Sequence, residues 1–165
     1  MNKQSSDIDK LREIIKNLEV AMFTTQDAEG RLCSRPMATQ QVAFDGYLWF
    51  FTEASAHKVD DVQHHRQVNV SYVDPDKNRY ISISGRAQVV RDVVQARQLW
   101  KPYLRAWFPK GVDDPEVALL KVEVHHAEYW DSPSSKVVQL LDFLKSVATG
   151  EAPKTLRTGK IQVSR

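Results

Sequence analysis

Cysteine is almost absent from this 165-residue chain, which contains only Cys33. A lone cysteine excludes an internal disulfide framework and has no partner at the spacing of a zinc site. We read it as a strand residue and expect a reducing, cytoplasmic location. Long apolar runs are also missing, because no segment reaches the roughly 18 apolar residues of a membrane-spanning helix. The opening stretch "MNKQSSDIDKLREIIKNLEV" has no apolar core typical of a signal peptide, so we expect no membrane partner.

Charge of one sign is not in large excess, since 23 Lys and Arg stand against 21 Asp and Glu. A nucleic-acid-binding protein usually shows a clustered basic face, so no nucleic acid is expected as a partner. The chain also lacks a G-x-G-x-x-G or G-x-x-x-x-G-K-[ST] loop, an H-E-x-x-H pair and a nucleophile elbow. His125 and His126 are adjacent on a predicted strand and point to opposite faces, so we predict no metal site.

The length allows one domain with a sizeable core. We predict that domain over residues 1–150, followed by a mobile tail over residues 151–165, which are polar and punctuated by Gly and Pro. Hydrophobic periodicity predicts helices near residues 7–19, 55–65, 92–107 and 134–148.

Runs rich in β-forming residues alternate with these helices. They are "VAMFTT", a long extended stretch "RLCSRPMATQQVAF", "YLWFFT", "QVNVSYV", "RYISISGRAQVV" and "VALLKVEVHHAEYW". Asp45-Gly46 is a hairpin signal, and Gly85 is a candidate bulge in mid-strand. Six strands linked mainly by hairpins predict a mainly β fold, a six-stranded antiparallel barrel with flanking helices, rather than a doubly wound sheet.

The segment "FFTEASAHKVDDV" is the most informative local site. Thr52 or Ser55 can cap the helix that begins there. The first turn of a helix carries partial positive charge and usually holds Asp or Glu, yet His57 and Lys58 occupy it. Exposed N–H groups, two hydroxyls and two positive side chains can together bind a phosphate group. The alternative is a capped surface helix whose lysine faces water.

Arg35 is the second candidate. It precedes Pro36, which removes one ladder hydrogen bond and marks an edge or irregular strand. Such a backbone leaves N–H and C=O groups free to pair with a planar heterocycle, although Arg35 can equally be a single exposed charge. Trp100, Trp107 and Trp130 are each read as core residues. Trp130 also ends a strand, where its flat side chain can pack against a flat ligand.

Taken in order, "SRPM", "WFFTEASAHK", "YISISGRA" and "AEYWDSPSS" resemble the pyridoxamine phosphate oxidase-like, FMN-binding split-barrel superfamily. The stretch "LWKPYLRAWFPKGVDDPEVALLKVEV" is similar to its bacterial general stress protein branch. The resemblance covers about residues 8–145. It implies a six-stranded antiparallel split β-barrel and an FMN held at the interface of a homodimer.

The resemblance also implies which residues contact the flavin. His57 stands where an Arg often precedes the lysine of the family's phosphate segment, and it is a weaker, pH-dependent donor. Arg35 matches the Arg that opens the family's second strand motif, and Trp130 matches a Trp that reaches the flavin from the partner subunit. The implied cofactor-binding residues are Arg35, Pro36, Met37, Ala38, Thr39, Thr52, Ser55, His57, Lys58 and Trp130.

Two departures concern the substrate. The oxidases carry a Lys late in the Arg-opened strand, where this chain has Gln40, and an Arg and a His after the Trp, where "DSPSSKVV" has neither. The pocket therefore lacks the anion clamp for pyridoxamine phosphate. Substrate and catalytic residues stay unidentified, and FAD can replace FMN. Two functions stay open: a flavin-dependent oxidoreductase of a general stress response, acting on an unknown small molecule, and a non-catalytic carrier of flavin or haem.

Overall fold

The structure is a computed structural model that describes residues 3–40, 42–132, 136–152 and 157–163. Its helices are α1 (Lys3–Ile15), α2 (His57–His64), α3 (Val93–Leu99) and α4 (Lys136–Thr149), with a 3₁₀ helix at Pro102–Ala106. Its strands are β1 (Val20–Gln26), β2 (Leu32–Ala38), β3 (Tyr47–Glu53), β4 (Gln67–Asp74), β5 (Arg79–Val90), β6 (Val117–Asp131) and β7 (Arg157–Gln162).

The strands form one seven-stranded sheet in the order β2-β1-β4-β5-β6-β3, and β7 pairs with β6. All the strand pairings are antiparallel. The 15-residue strand β6 pairs with β5 along most of its length, with β3 through its first half and with β7 through its second half. The sheet thus divides along β6, which confirms the predicted mainly β, antiparallel split barrel with flanking helices.

Alternating side chains of the strands face one apolar core. Val70, Ile83 and Val122 are fully buried there, and Leu11 brings α1 against the same cluster. The rings of Phe23 and Phe50 meet edge to face with centroids 5.2 Å apart. A second cluster lies under α3 and the 3₁₀ helix and contains Phe51, Leu99, Leu104, Phe108 and Leu119. Each such burial contributes about 1.5–3 kcal/mol, so this second cluster fixes the 3₁₀ helix beside the end of β3.

Two predicted helices have different bounds. The helix expected over 7–19 begins earlier and ends at Ile15, since Asn17 has a left-handed φ of 66°. The helix expected over 92–107 divides into α3 and the 3₁₀ helix. Pro102 causes the break, because it has no N–H to donate and it disfavours helical geometry at the preceding residue.

The hairpin prediction at Asp45-Gly46 is wrong. In the described part of the chain, β2 and β3 meet through one isolated bridge, Thr39–Phe50, and β3 pairs instead with β6. The extended stretch therefore ends as a strand at Ala38. A bulge lies at the predicted position in the ladder, because the register with β6 shifts between Ser84 and Gly85, but the extra residue is His125 on β6 and not Gly85 on β5.

The prediction of a mobile tail from residue 151 is wrong for residues 157–163, and the strand count is seven instead of six. Strand β7 pairs with residues 126–131 of β6. Ile161 is 1% exposed and belongs to the main core, and Val163 is buried beside it. Among the described residues, no helix has the length and apolar character needed to cross a membrane.

Candidate functional site

A cavity of about 490 Å³ lies where the end of β2, the end of β3, the start of α2 and the 3₁₀ helix meet. Its volume falls within the range of small-molecule pockets. The Thr39–Phe50 bridge and the hydrogen bond from the Gln40 N–H to the Trp49 carbonyl (3.0 Å) hold β2 against β3 at this point. The predicted residues that line the cavity are Pro36, Met37, Ala38, Thr52 and Lys58.

Lys58 is the positive group of this cavity and is half-buried in its wall. Burial lowers the pKa of its ammonium group, the nearby charge of Arg35 lowers it further, and Glu53 acts in the opposite direction. Burial and the charge of Arg35 therefore both disfavour the charged form of Lys58 when no ligand is bound. A bound anion would reverse them, because it would supply the missing opposite charge.

Arg35 does not line the cavity but stands behind it, 26% exposed. Its Nη1 donates to the Thr25 hydroxyl at 2.7 Å, and that hydroxyl donates to Asp61 Oδ2 at 2.7 Å. Arg35 Nη2 lies 3.8 Å from the same carboxylate. This arrangement fixes the guanidinium between β2 and α2, where its charge reaches Lys58.

The start of α2 differs from the prediction. Ala56 is the N-cap residue and no side chain caps the helix, so the capping role assigned to Thr52 or Ser55 is wrong. The buried Thr52 hydroxyl donates to the Glu53 carbonyl at 3.3 Å. Ser55 is exposed and its N–H donates to Glu116 Oε2 at 3.3 Å. The Val59 N–H donates to the Ala56 carbonyl at 2.8 Å, whereas no side chain of the described residues caps the first turn, where a bound anion can accept hydrogen bonds from N–H groups.

Two other predicted residues, His57 and Thr39, lie outside the cavity wall. His57 is exposed on the first turn of α2. Thr39 is buried, and its hydroxyl shares a hydrogen bond of 2.8 Å with the Tyr72 hydroxyl. Burial raises the pKa of Tyr72, so this phenol stays protonated.

Trp130 lies far from the cavity within one chain. It pairs with Tyr80 and Thr158 near the end of β6, whereas the cavity residue Thr52 pairs with Ala118 at the start of β6. The twelve residues from 118 to 130 correspond to about 40 Å of extended strand. One chain therefore does not bring Trp130 to Lys58.

The sequence analysis missed the apolar wall of the cavity. Phe51, Leu104, Trp107 and Phe108 supply it, and Trp107 is 63% exposed, so its reading as a core residue is wrong. The signal was present in Pro102, which breaks the predicted helix and turns the following aromatic residues toward β3.

Gln40, which the sequence analysis named only as a departure from the oxidases, also belongs to the wall. It is 4% exposed, and its Nε2 donates to the Ala38 carbonyl at a long 3.5 Å. Its Oε1 is buried and has no hydrogen-bond partner among the described residues. An unpaired buried acceptor costs about 1–3 kcal/mol. A cation, an apolar wall with aromatic side chains and this acceptor together fit a planar, anionic heterocycle.

Metal chemistry has no support in the described residues. Across residues 3–40, 42–132, 136–152 and 157–163, no group of three or more His, Cys, Asp and Glu side chains could hold an ion. His125 and His126 pair separately with Glu123 (3.7 Å) and Glu128 (3.6 Å).

The antiparallel split barrel with a cavity at the junction of β2, β3 and α2 defines the structural class. Residues 6–154 match the family described as pyridoxamine 5'-phosphate oxidase like, so the chain belongs to that family. It is 30% identical over 154 residues to protein bli-3 of Neurospora crassa, which covers 87% of this chain and 74% of that protein.

Solved structures show the same fold. A general stress protein 26 from Jannaschia sp. CCS1 has a TM-score of 0.73 at 21% identity, covering 98% of this chain and 99% of the other. The general stress FMN/FAD binding protein of Xanthomonas citri has a TM-score of 0.67 at 28% identity, covering 79% of this chain and 92% of the other. The first likeness shows the fold, and the second, together with the family match, confirms the general stress protein branch.

Proposed function

We propose that this protein binds FMN in the cavity beside Lys58 and acts as a flavin-dependent oxidoreductase of a general stress response. The observation that carries the proposal is the state of Lys58, a half-buried cation whose pKa is lowered and which faces a cavity of ligand size. A phosphate there would stabilise the ammonium group. The Xanthomonas citri neighbour, which is described as FMN/FAD binding, supports a flavin as the occupant.

The residues fit the parts of an FMN molecule. Lys58, with the charge of Arg35 behind it, would hold the phosphate, and Thr52 lies in the same wall. The backbone from Pro36 to Ala38, which belongs to the edge strand β2, would run beside the isoalloxazine. FMN would supply the redox chemistry, while these residues bind and orient it. We assign no catalytic side chain. We also propose that pyridoxamine phosphate is not the substrate, because the chain lacks the residues that hold it in the oxidases.

A homodimer is part of the proposal. Trp130 lies near the end of β6, whereas Thr52, which lines the cavity with Lys58, pairs with the start of β6, so a flavin that touches both Trp130 and Lys58 needs two copies of the chain. Helix α4, which begins shortly after Trp130, also exposes apolar side chains typical of a packed helix face. These are Leu140, Leu141, Phe143, Leu144 and Val147. We expect an interface of more than about 2,000 Å².

We propose a cytoplasmic location for this protein. The thiol of Cys33 would stay reduced there. We assign it no nucleic acid, metal or membrane partner. Its substrate is an unidentified small molecule.

The test has two stages. An absorption spectrum of the purified protein, before and after adding FMN and separately FAD, should show a bound flavin with a perturbed visible band. Adding NADH or NADPH to that complex should then bleach the band. Flavin that binds without reduction by either donor would contradict the oxidoreductase part and favour a carrier. A protein that takes up neither flavin would contradict the whole proposal.

A further inference from the structure

The side-chain amide of Gln40 sits in the wall between two cavities. One is the cavity of Lys58, and the other, of about 210 Å³, lies toward α1 and Tyr72. The residue is 4% exposed, so water does not replace a missing partner as it does on a surface. Its backbone N–H donates to the Trp49 carbonyl, and its Nε2 donates to the Ala38 carbonyl. Its Oε1 has no partner in the part of the chain that the structure describes.

The described hydroxyl side chains that line the two cavities with Gln40 already have partners of their own. The Thr52 hydroxyl donates to the Glu53 carbonyl, and the Thr39 hydroxyl pairs with the Tyr72 hydroxyl. Lys58 lies in the same cavity, yet it makes no hydrogen bond to Gln40. None of the described residues thus donates to Oε1, and a molecule bound in the cavity that Gln40 lines can supply the donor.

We propose that Gln40 is a specificity-determining residue whose Oε1 accepts a hydrogen bond from a ring N–H of the planar ligand. The inference rests on the proposed function. An oxidised isoalloxazine has a single ring N–H, at N3 of its pyrimidine ring, and that group is the donor that we assign to Gln40. The cavity then recognises FMN at two places, the phosphate at Lys58 and the pyrimidine edge at Gln40.

The chain geometry is compatible with these two contacts. Arg35, which stands behind Lys58, and Gln40 are five residues apart in extended chain, or about 17 Å. This span is comparable to the length of an FMN molecule from phosphate to pyrimidine edge. The same acceptor disfavours haem, because the edge of a metalloporphyrin offers no N–H and would leave Oε1 buried without a partner.

The test compares FMN with an analogue methylated at N3, titrated into wild type and Gln40→Met. Methionine has a similar length and no strong acceptor, so the variant removes the hydrogen bond and little volume. We expect Gln40→Met to bind FMN about 5- to 100-fold more weakly than wild type. Its affinity for the methylated analogue should change little. Gln88→Met, an exposed position on β5, is the matched control and should leave both affinities unchanged.

A purely structural role of Gln40 would give a different pattern. Loss of folding would weaken both flavins equally, whereas the inference requires the ratio of the two affinities to change. The apo form of Gln40→Met should unfold at no lower denaturant concentration, because it loses an unpaired polar atom. Unchanged FMN affinity, or an equal loss for both flavins, overturns the inference alone. A wild-type protein that binds neither flavin overturns the proposed function as well.

Discussion

Arg35 Nη2 lies 3.8 Å from Asp61 Oδ2, and the Thr25 hydroxyl bridges the two side chains with hydrogen bonds of 2.7 Å on each side. Thr25 is 1% exposed, so this contact is shielded from water. The carboxylate holds the guanidinium in place but does not remove its effect on Lys58, whose pKa it still lowers. The cavity thus contains a cation held in an unfavourable environment before any ligand binds, which is the condition for strong anion binding.

Lys58→Ala should weaken FMN binding without weakening the fold. A charge-assisted hydrogen bond of this kind is worth about 1.5–3 kcal/mol, or about 10- to 150-fold in affinity. The apo variant should unfold at an unchanged or higher denaturant concentration, since burial and Arg35 both disfavour the ammonium group. FMN titration and denaturant unfolding measure the two effects. Lys110→Ala, at an exposed loop position, is the control. Wild-type affinity in the Lys58 variant would place the phosphate elsewhere.

The same lysine predicts a pH dependence of stability. Because the pKa of Lys58 is below 10.5 in the folded protein, the unfolded chain binds more protons in the window between the lowered pKa and 10.5. The contribution of Lys58 to the free energy of unfolding therefore rises with pH across that window, and its penalty is fully present below it.

Lys58→Met should accordingly be more stable than wild type at about pH 7, and the difference should shrink toward about pH 10. Urea unfolding of both apo proteins at a series of pH values checks this expectation. A stability difference that is constant over the range, or that grows with pH, would show that Lys58 is not destabilised by its surroundings.

Local sequence patterns predicted the polar residues at the start of α2 better than they predicted the apolar residues of the cavity wall. Helical spacing and the family motif place Lys58 correctly, since α2 forms within a few residues of β3. Trp107 depends instead on how Pro102 turns the 3₁₀ helix back onto Phe51, a tertiary contact that no local period encodes. The lack of a partner for Gln40 Oε1 likewise depends on tertiary contacts, because the Thr39 and Thr52 hydroxyls bond to other groups.

Strand β7 was missed for a related reason. Its sequence is polar apart from Ile161 and Val163, and its order comes from the ladder that β6 offers. Gly159 packs against the ring of Tyr129 so closely that an added Cβ would lie 2.2 Å from the ring. Such cross-strand pairing of glycine with an aromatic ring is visible only once the partner strand is known.

Ile161→Ala tests whether this segment belongs to the fold. Ile161 is 1% exposed in the main core, so its truncation should lower the free energy of unfolding by about 2–5 kcal/mol. Gln162→Ala, at the exposed neighbouring position, should change it by less than about 0.5 kcal/mol. Urea unfolding of the apo proteins measures both. Equal stability of the two variants would mean that the segment is a mobile tail after all.

Mixing two defective variants tests the shared flavin site. An indole that contacts an isoalloxazine quenches its fluorescence, so Trp130→Ala should bind FMN with brighter emission than wild type. Lys58→Ala keeps the indole but binds FMN weakly. If each site takes Lys58 from one chain and Trp130 from its partner, a mixed dimer contains one intact site and one doubly defective site.

Subunit exchange between the two variants should therefore restore quenching that neither variant shows alone at low FMN concentration. With free exchange, about one quarter of all sites become intact. Sedimentation of the mixture should show the dimer throughout. The same experiment with Lys110→Ala in place of Lys58→Ala supplies the reference for exchange with an intact phosphate site. Bright emission that persists after full exchange would mean that Trp130 does not reach the flavin of its partner, and the two ends of β6 would then belong to different functions.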